Sequence, residues 1–221
     1  MSDLGDRVEA LRARIARACE AAGRDPAAVE LLPVSKRQPL KAIVEAAALG
    51  FETFGENYVQ EGAAKAEARP DLRFVLLGPL QRNKAKPALL RFAELMSVDR
   101  LDLVERLGRL AEELDLARPV WIQVDLWDEA TKQGGCAATD LPGLVAALEA
   151  QPRLPLRGFM AIPPPGLDAA FSQLEALREA WRQRLGLPLR LSMGMSGDLE
   201  AAIAAGSDQV RVGTDFFGAR T

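Results

Sequence analysis

The sequence predicts an α/β fold, a single-domain (β/α)8 TIM-like barrel with an extra N-terminal helix, and three observations carry that expectation. Eight short apolar runs recur along the 221 residues, over 31–35, 51–55, 74–78, 95–98, 120–124, 156–162, 189–193 and 210–212. Segments with helical periodicity lie between most of them, over 40–49, 58–68, 101–116, 141–148, 167–185 and 199–205. Strict βα alternation with short connections predicts a parallel sheet, and eight such units in a chain of this size predict closure into a barrel. A doubly wound open sheet is the alternative architecture, because alternation alone does not show closure.

The first element is a long amphipathic helix over 3–22, with Leu4, Val8, Leu11, Ile15 and Ala18 at helical spacing and Gly23 as its stop. It leads into the barrel, so residues 1–29 are read as helix and lead-in and 30–221 as the barrel of one domain. A hydrophobic content of 48% with 27% charged residues is that of a globular chain. A net charge of -3 without any Lys/Arg block gives no footprint for nucleic acid. No apolar run reaches the roughly 18 residues of a membrane span, and the N-terminus lacks a basic segment followed by an apolar core. A cytoplasmic, monomeric protein is expected.

Two cysteines, Cys19 and Cys136, indicate neither a disulfide framework nor a thiolate metal site. The absence of histidine excludes Ser-His-Asp and Cys-His nucleophilic systems and His-ligated zinc. Acid-base work would fall to Lys, Glu, Asp, Cys or the single tyrosine, Tyr58.

A barrel demands that functional side chains gather just after each strand, where the βα loops meet. Lys36 follows the first apolar run, Glu56 and Asn57 the second, Gly78 and Gln81 the third, Asp99 and Arg100 the fourth, Asp125 the fifth, Ser196 the seventh, and Gly213 and Thr214 the eighth. Helix capping accounts equally well for Asp99 and Asp125. A lysine at the end of a buried strand can lose solvation, which favours the free amine that attacks a carbonyl; a surface lysine at a strand-to-loop boundary is the plainer reading. Two segments look built for an anion: Ser192-Met193-Gly194-Met195-Ser196-Gly197-Asp198 and Val210-Arg211-Val212-Gly213-Thr214. Loops after the seventh and eighth strands of a barrel commonly share one phosphate site, although two capped turns would give the same sequence. Arg211 alternates with Val210 and Val212, so it faces the other side of its strand and needs either an internal acid or a bound ligand.

These motifs, with Phe54-Gly55-Glu56-Asn57-Tyr58-Val59-Gln60-Glu61, Gly78-Pro79-Leu80-Gln81-Arg82-Asn83-Lys84, Ser97-Val98-Asp99-Arg100 and Phe217-Gly218, closely resemble the pyridoxal phosphate homeostasis proteins, relatives of the barrel half of alanine racemase. The resemblance runs from about residue 30 to Arg220, in the family's order and spacing. It implies that Lys36 binds pyridoxal 5'-phosphate (PLP) as a Schiff base, that the phosphate lies against Ser196, Gly213 and Thr214, that Arg211 faces the pyridine nitrogen, and that Asn57 lies near the ring. It also implies a role in storing PLP, limiting its free concentration and delivering it to PLP-dependent apoenzymes. Two positions depart from the pattern: Pro79 stands where relatives often carry histidine, and Asp125 where asparagine is usual.

A PLP-dependent amino-acid racemase is the alternative function. That chemistry needs a second base on the opposite face of the substrate, which in the resembling enzymes comes from an additional domain; here Cys136 or water would have to improvise it. A Schiff-base aldolase is a third reading, distinguished by the absence of a cofactor absorbance.

Overall fold

Strands covered on both faces should read as unbroken apolar runs, and the burial follows that rule: every residue of Val120–Gln123 and Gln209–Val212 is buried. The computed structural model describes residues 3–127, 134–164, 166–167 and 169–218. Its strands are β1 (Glu30–Pro33), β2 (Thr53–Glu56), β3 (Arg73–Leu76), β4 (Glu94–Val98), β5 (Val120–Gln123), β6 (Leu156–Met160), β7 (Arg190–Ser192) and β8 (Gln209–Val212). All neighbouring pairs are parallel, in the order β1-β8-β7-β6-β5-β4-β3-β2. The two ends of that order meet: Val34 bridges Gly55 in parallel, and Ser35 N donates to the Gly55 carbonyl at 2.8 Å. The sheet is therefore a nearly closed barrel, not an open doubly wound layer.

The helices are α1 (Asp3–Ala21), α2 (Leu40–Ala48), α3 (Val59–Ala68), α4 (Ala85–Arg91), α5 (Leu101–Glu113), α6 (Leu141–Glu149), α7 (Ala169–Leu185), α8 (Leu199–Ala204) and α9 (Thr214–Phe217). The periodic segments supply seven of them. The expected helix over 167–185 begins at Ala169, with Asp168 outside the described residues, as are the ends 1–2 and 219–221 of the single-domain reading. Two helices are additional. The first, α4, is a seven-residue helix with Pro87 in its first turn, where the missing N–H has no helical acceptor to lose. The second, α9, is a single turn that begins at Thr214, a position read from sequence as loop.

Two apolar layers hold the cylinder. The outer one lies between strands and helices and includes Val210 and Val212. The inner one is small: Leu32, Val34, Val75, Leu77, Met96, Trp121 and Met160 fill the barrel itself. The helix α1 buries Leu4, Val8, Leu11, Ile15 and Ala18, the stripe that its spacing predicts. Its arginines grip the C-terminal elements, with Arg7 Nε donating to the Phe216 carbonyl at 3.0 Å and Arg14 pairing with Glu200 on α8. Among the described residues no helix is long and apolar enough to cross a membrane.

Candidate functional site

The C-terminal ends of β1, β2, β7 and β8 converge on one cavity of about 340 Å3. Lys36, Asn57, Ser196, Arg211, Gly213 and Thr214 all line it, over an apolar floor of Val34, Leu77, Met160 and Ile162. That volume lies near the lower end of small-molecule sites, about 300–1,000 Å3. Lys36 reaches the cavity from two residues past the Val34 bridge and is partly buried. Asn57 is set by the backbone of β3: a Cβ added at Gly78 would lie 2.0 Å from the Asn57 carbonyl oxygen, so only glycine lets the two strand ends approach. Ser196 sits in a loop pinned by Met195 N donating to Asp198 Oδ1 at 2.6 Å. That loop starts at Gly194, whose φ of +92° and close approach to Ala202 demand glycine.

The lining side chains share a property: the Lys36 amine, the Asn57 amide and the Ser196 and Thr214 hydroxyls make no hydrogen bond to any other described residue. Their polar atoms are available to a ligand. Arg211 differs. Its guanidinium, fully buried, donates to Ser192 Oγ and to the Ala161 carbonyl, both at 2.8 Å. No carboxylate forms an ion pair with it among the described residues, which answers one of the two alternatives left by the sequence. Burial brings it down to about 10, so it remains a cation at neutral pH.

Other residues expected at the mouth do different work. Glu56 lies in β2 and points away from the cavity, under α3. The Asp99 carboxylate accepts from Gly135 N at 3.1 Å and from Arg100 at 2.9 Å, and Arg100 in turn donates to the Leu80 carbonyl. Asp125 accepts from Trp127 N at 3.1 Å, a turn-forming bond. Pro79 is exposed. None of Glu56, Pro79, Gln81, Asp99, Arg100 or Asp125 lines the cavity.

Sequence reasoning passed over Lys65. It is 8% exposed on α3, and its ammonium donates to the Ser35 carbonyl at 2.7 Å, to Glu56 Oε1 at 2.6 Å and to Glu61 Oε1 at 2.7 Å. Ser35 Oγ donates to the same Glu56 oxygen at 2.6 Å, and Glu56 Oε2 is buried without a partner. Burial pushes the Glu56 carboxyl above its usual range, against the bonds from Lys65 and Ser35 that pull it down. The signal available in the sequence was the four-residue spacing of Glu61 and Lys65 on one helix face.

A profile of the alanine racemase N-terminal domain matches residues 7–221. The pyridoxal phosphate homeostasis protein of Pseudomonas aeruginosa is 45% identical over 230 residues, spanning 100% of this chain and 97% of the relative. That of Escherichia coli K12 is 41% identical over 233 residues, with 100% and 98% covered. The chain belongs to the pyridoxal phosphate homeostasis protein family. The family likeness extends to solved structures. PipY of Synechococcus elongatus PCC7942, solved with PLP bound, superposes with a TM-score of 0.81 at 39% identity, covering 92% of this chain and 100% of that one. An alanine racemase of Clostridium difficile 630, at 13% identity and a TM-score of 0.75, shares the fold over all of this chain and 57% of its own length.

Cys136, considered from sequence as an improvised base in a racemase, does not suit that role. It is 3% exposed, outside the cavity lining, and burial pushes its thiol up to about 12 from 9.0. A thiol of that kind is ionised to roughly one part in 10^4 at pH 8. The raised value means that its contribution to stability is complete below pH 9.0 and is lost as pH climbs toward 12. Cys19 is also buried and raised. Neither cysteine of the native protein is expected to react with a thiol-exchange reagent at pH 8 until denaturant is added; prompt labelling of Cys136 would contradict this.

Proposed function

We propose that this chain binds PLP at the mouth of its barrel through Lys36 and acts in PLP homeostasis, holding and releasing the cofactor without catalysing turnover of an amino acid. The observation that carries the reading is the convergence on one cavity of four polar side chains and a buried guanidinium that, among the described residues, have respectively no hydrogen-bond partner and no paired carboxylate. Relatives named pyridoxal phosphate homeostasis protein, and PipY with PLP bound, support the same cofactor. The donor set fits it: an amine for an aldehyde, hydroxyls for a phosphate, and a guanidinium for a ring nitrogen.

When bound, PLP supplies a reactive aldehyde and a ring that can draw electrons from an attached amine. Lys36 would hold the aldehyde carbon. Ser196, Gly213 and Thr214 would hold the phosphate, and Asn57 would lie beside the ring. Arg211, still charged at neutral pH, would donate to the ring nitrogen and oppose its protonation, which weakens the ring as an electron sink. That favours holding the cofactor over carbanion chemistry. The cavity lining points the same way: among the described residues its titratable groups are Lys36 and Arg211 alone, whereas racemisation calls on two bases.

The test is an absorbance titration of the purified chain with PLP, followed by borohydride reduction and peptide mass mapping. A cofactor band fixed on the Lys36 peptide supports the reading; no band and no adduct overturns it. Phosphate contacts are tested separately. Gly213 has φ of -106° and a Cβ there would come no closer than 3.5 Å to protein, so Gly213→Ala leaves the fold intact and reports on the ligand. Thr214→Val is expected to weaken PLP retention by about 1.5–3 kcal/mol, the range for a hydrogen bond to a charged group. Unchanged affinity in both variants would move the phosphate elsewhere.

A further inference from the structure

The Lys36 amine makes no hydrogen bond or ion pair with any described residue, yet both of its peptide neighbours are held by one charged cluster. On the N-terminal side, Lys65 Nζ donates to the Ser35 carbonyl at 2.7 Å and the Ser35 hydroxyl is tied to Glu56. On the C-terminal side, Arg37 N donates to Glu61 Oε1 at 2.5 Å, the same oxygen that accepts from Lys65. Arg37 has φ of +58°, a left-handed conformation that a residue with a Cβ adopts only when its surroundings enforce it. The acceptor that meets its amide is Glu61.

We infer that Glu61, Lys65 and Glu56 form a clamp that positions Lys36, by holding Arg37 in the left-handed region and Ser35 against α3 so that the Lys36 side chain leaves the backbone toward the cavity. These are positioning residues, since none of them lines the cavity. The inference rests on the reading of Lys36 as the attachment point. Physically, the chain passes a tight corner at Arg37; without an acceptor for that amide, extended conformers of residue 37 become competitive and the amine is redirected.

Glu61 is the discriminating position, because its side chain is 26% exposed and its removal leaves the Lys65–Glu56 pair intact. Glu61→Ala is expected to lower the apparent affinity for PLP roughly tenfold, the scale of one left-handed residue released. The borohydride-trapped fraction on the Lys36 peptide at fixed PLP should fall with it. Glu61→Gln keeps a carbonyl acceptor for Arg37 N and is expected to restore trapping. Arg37→Gly, placed on Glu61→Ala, is expected to recover part of the loss, because glycine adopts positive φ without a Cβ penalty. Thermal unfolding of each ligand-free variant separates positioning from folding.

Wild-type trapping on Lys36 together with equal trapping and affinity in Glu61→Ala overturns the clamp and leaves the cofactor reading standing. A loss in Glu61→Ala that Glu61→Gln does not reverse also overturns it. Wild-type protein that traps no PLP on Lys36 removes the cofactor reading itself, and the clamp with it.

Discussion

Lys36→Ala is expected to abolish the borohydride-stable PLP adduct while leaving stability within about 0.5 kcal/mol of the parent. The two halves of that outcome have separate causes. The amine makes no hydrogen bond or ion pair with any described residue and is partly exposed, so its loss opens no cavity and orphans no acceptor. The covalent bond, in contrast, has no substitute among the described residues, where no other lysine lines the site. Noncovalent retention should persist at reduced affinity, because Ser196, Thr214 and Arg211 are untouched. Mass mapping of the reduced sample reads the first half and urea unfolding the second. An adduct of undiminished yield on the variant would assign the attachment to another lysine.

Lys65→Met is expected to destabilise the ligand-free protein by about 3–5 kcal/mol at neutral pH, the range for removing one partner of a buried ion pair. For a chain of this length that corresponds to a fall of roughly 6–20 °C in Tm. Glu56 is fully buried and already has one oxygen without a partner; losing the ammonium leaves its charge without compensation. The sign of the pH dependence follows. A carboxyl whose folded value is raised above 4.5 contributes stability that is complete below 4.5 and is lost as pH rises through the folded value. The deficit of Lys65→Met should therefore shrink as pH falls toward 4.5 and be largest at pH 7 and above. The double variant Glu56→Leu/Lys65→Met should recover most of the loss, since it removes both charges. A single variant equally destabilised across that pH range would mean that lost packing of the Lys65 stem dominates.

Much of the barrel was legible because parallel strands covered on both faces leave little room for polar residues: Val120, Trp121 and Ile122 announce β5 without help from neighbours. The segment over 85–91 was not, because Pro87 and its brevity hide its period. Arg211 was legible as inward-facing from its alternation with Val210 and Val212. Its acceptors were not, since Ser192 and the Ala161 carbonyl come from two other strand ends that the sheet order β8-β7-β6 brings beside it. Six residues quoted from the family motifs do meet at one cavity. Glu56, by contrast, was read as part of the mouth from its place beside Asn57, and the pleat decides otherwise: Gly55 faces inward against Leu77 and Leu32, so the next residue faces out. Lys65 had the look of a solvated helix residue because sequence does not show which strand end lies beneath it.

The joint between β1 and β2 has a mechanical consequence. Two joints of the cylinder are thin: β1 and β2 meet at the single bridge of Val34 and Gly55, and β7 and β8 at the single register pair of Ser192 and Gln209. Lys36 stands at the rim of the first of these joints. The strand ends that present the amine are thus held by little backbone pairing, with Lys65 and its two carboxylates bridging the gap like a hasp on the outside of the wall.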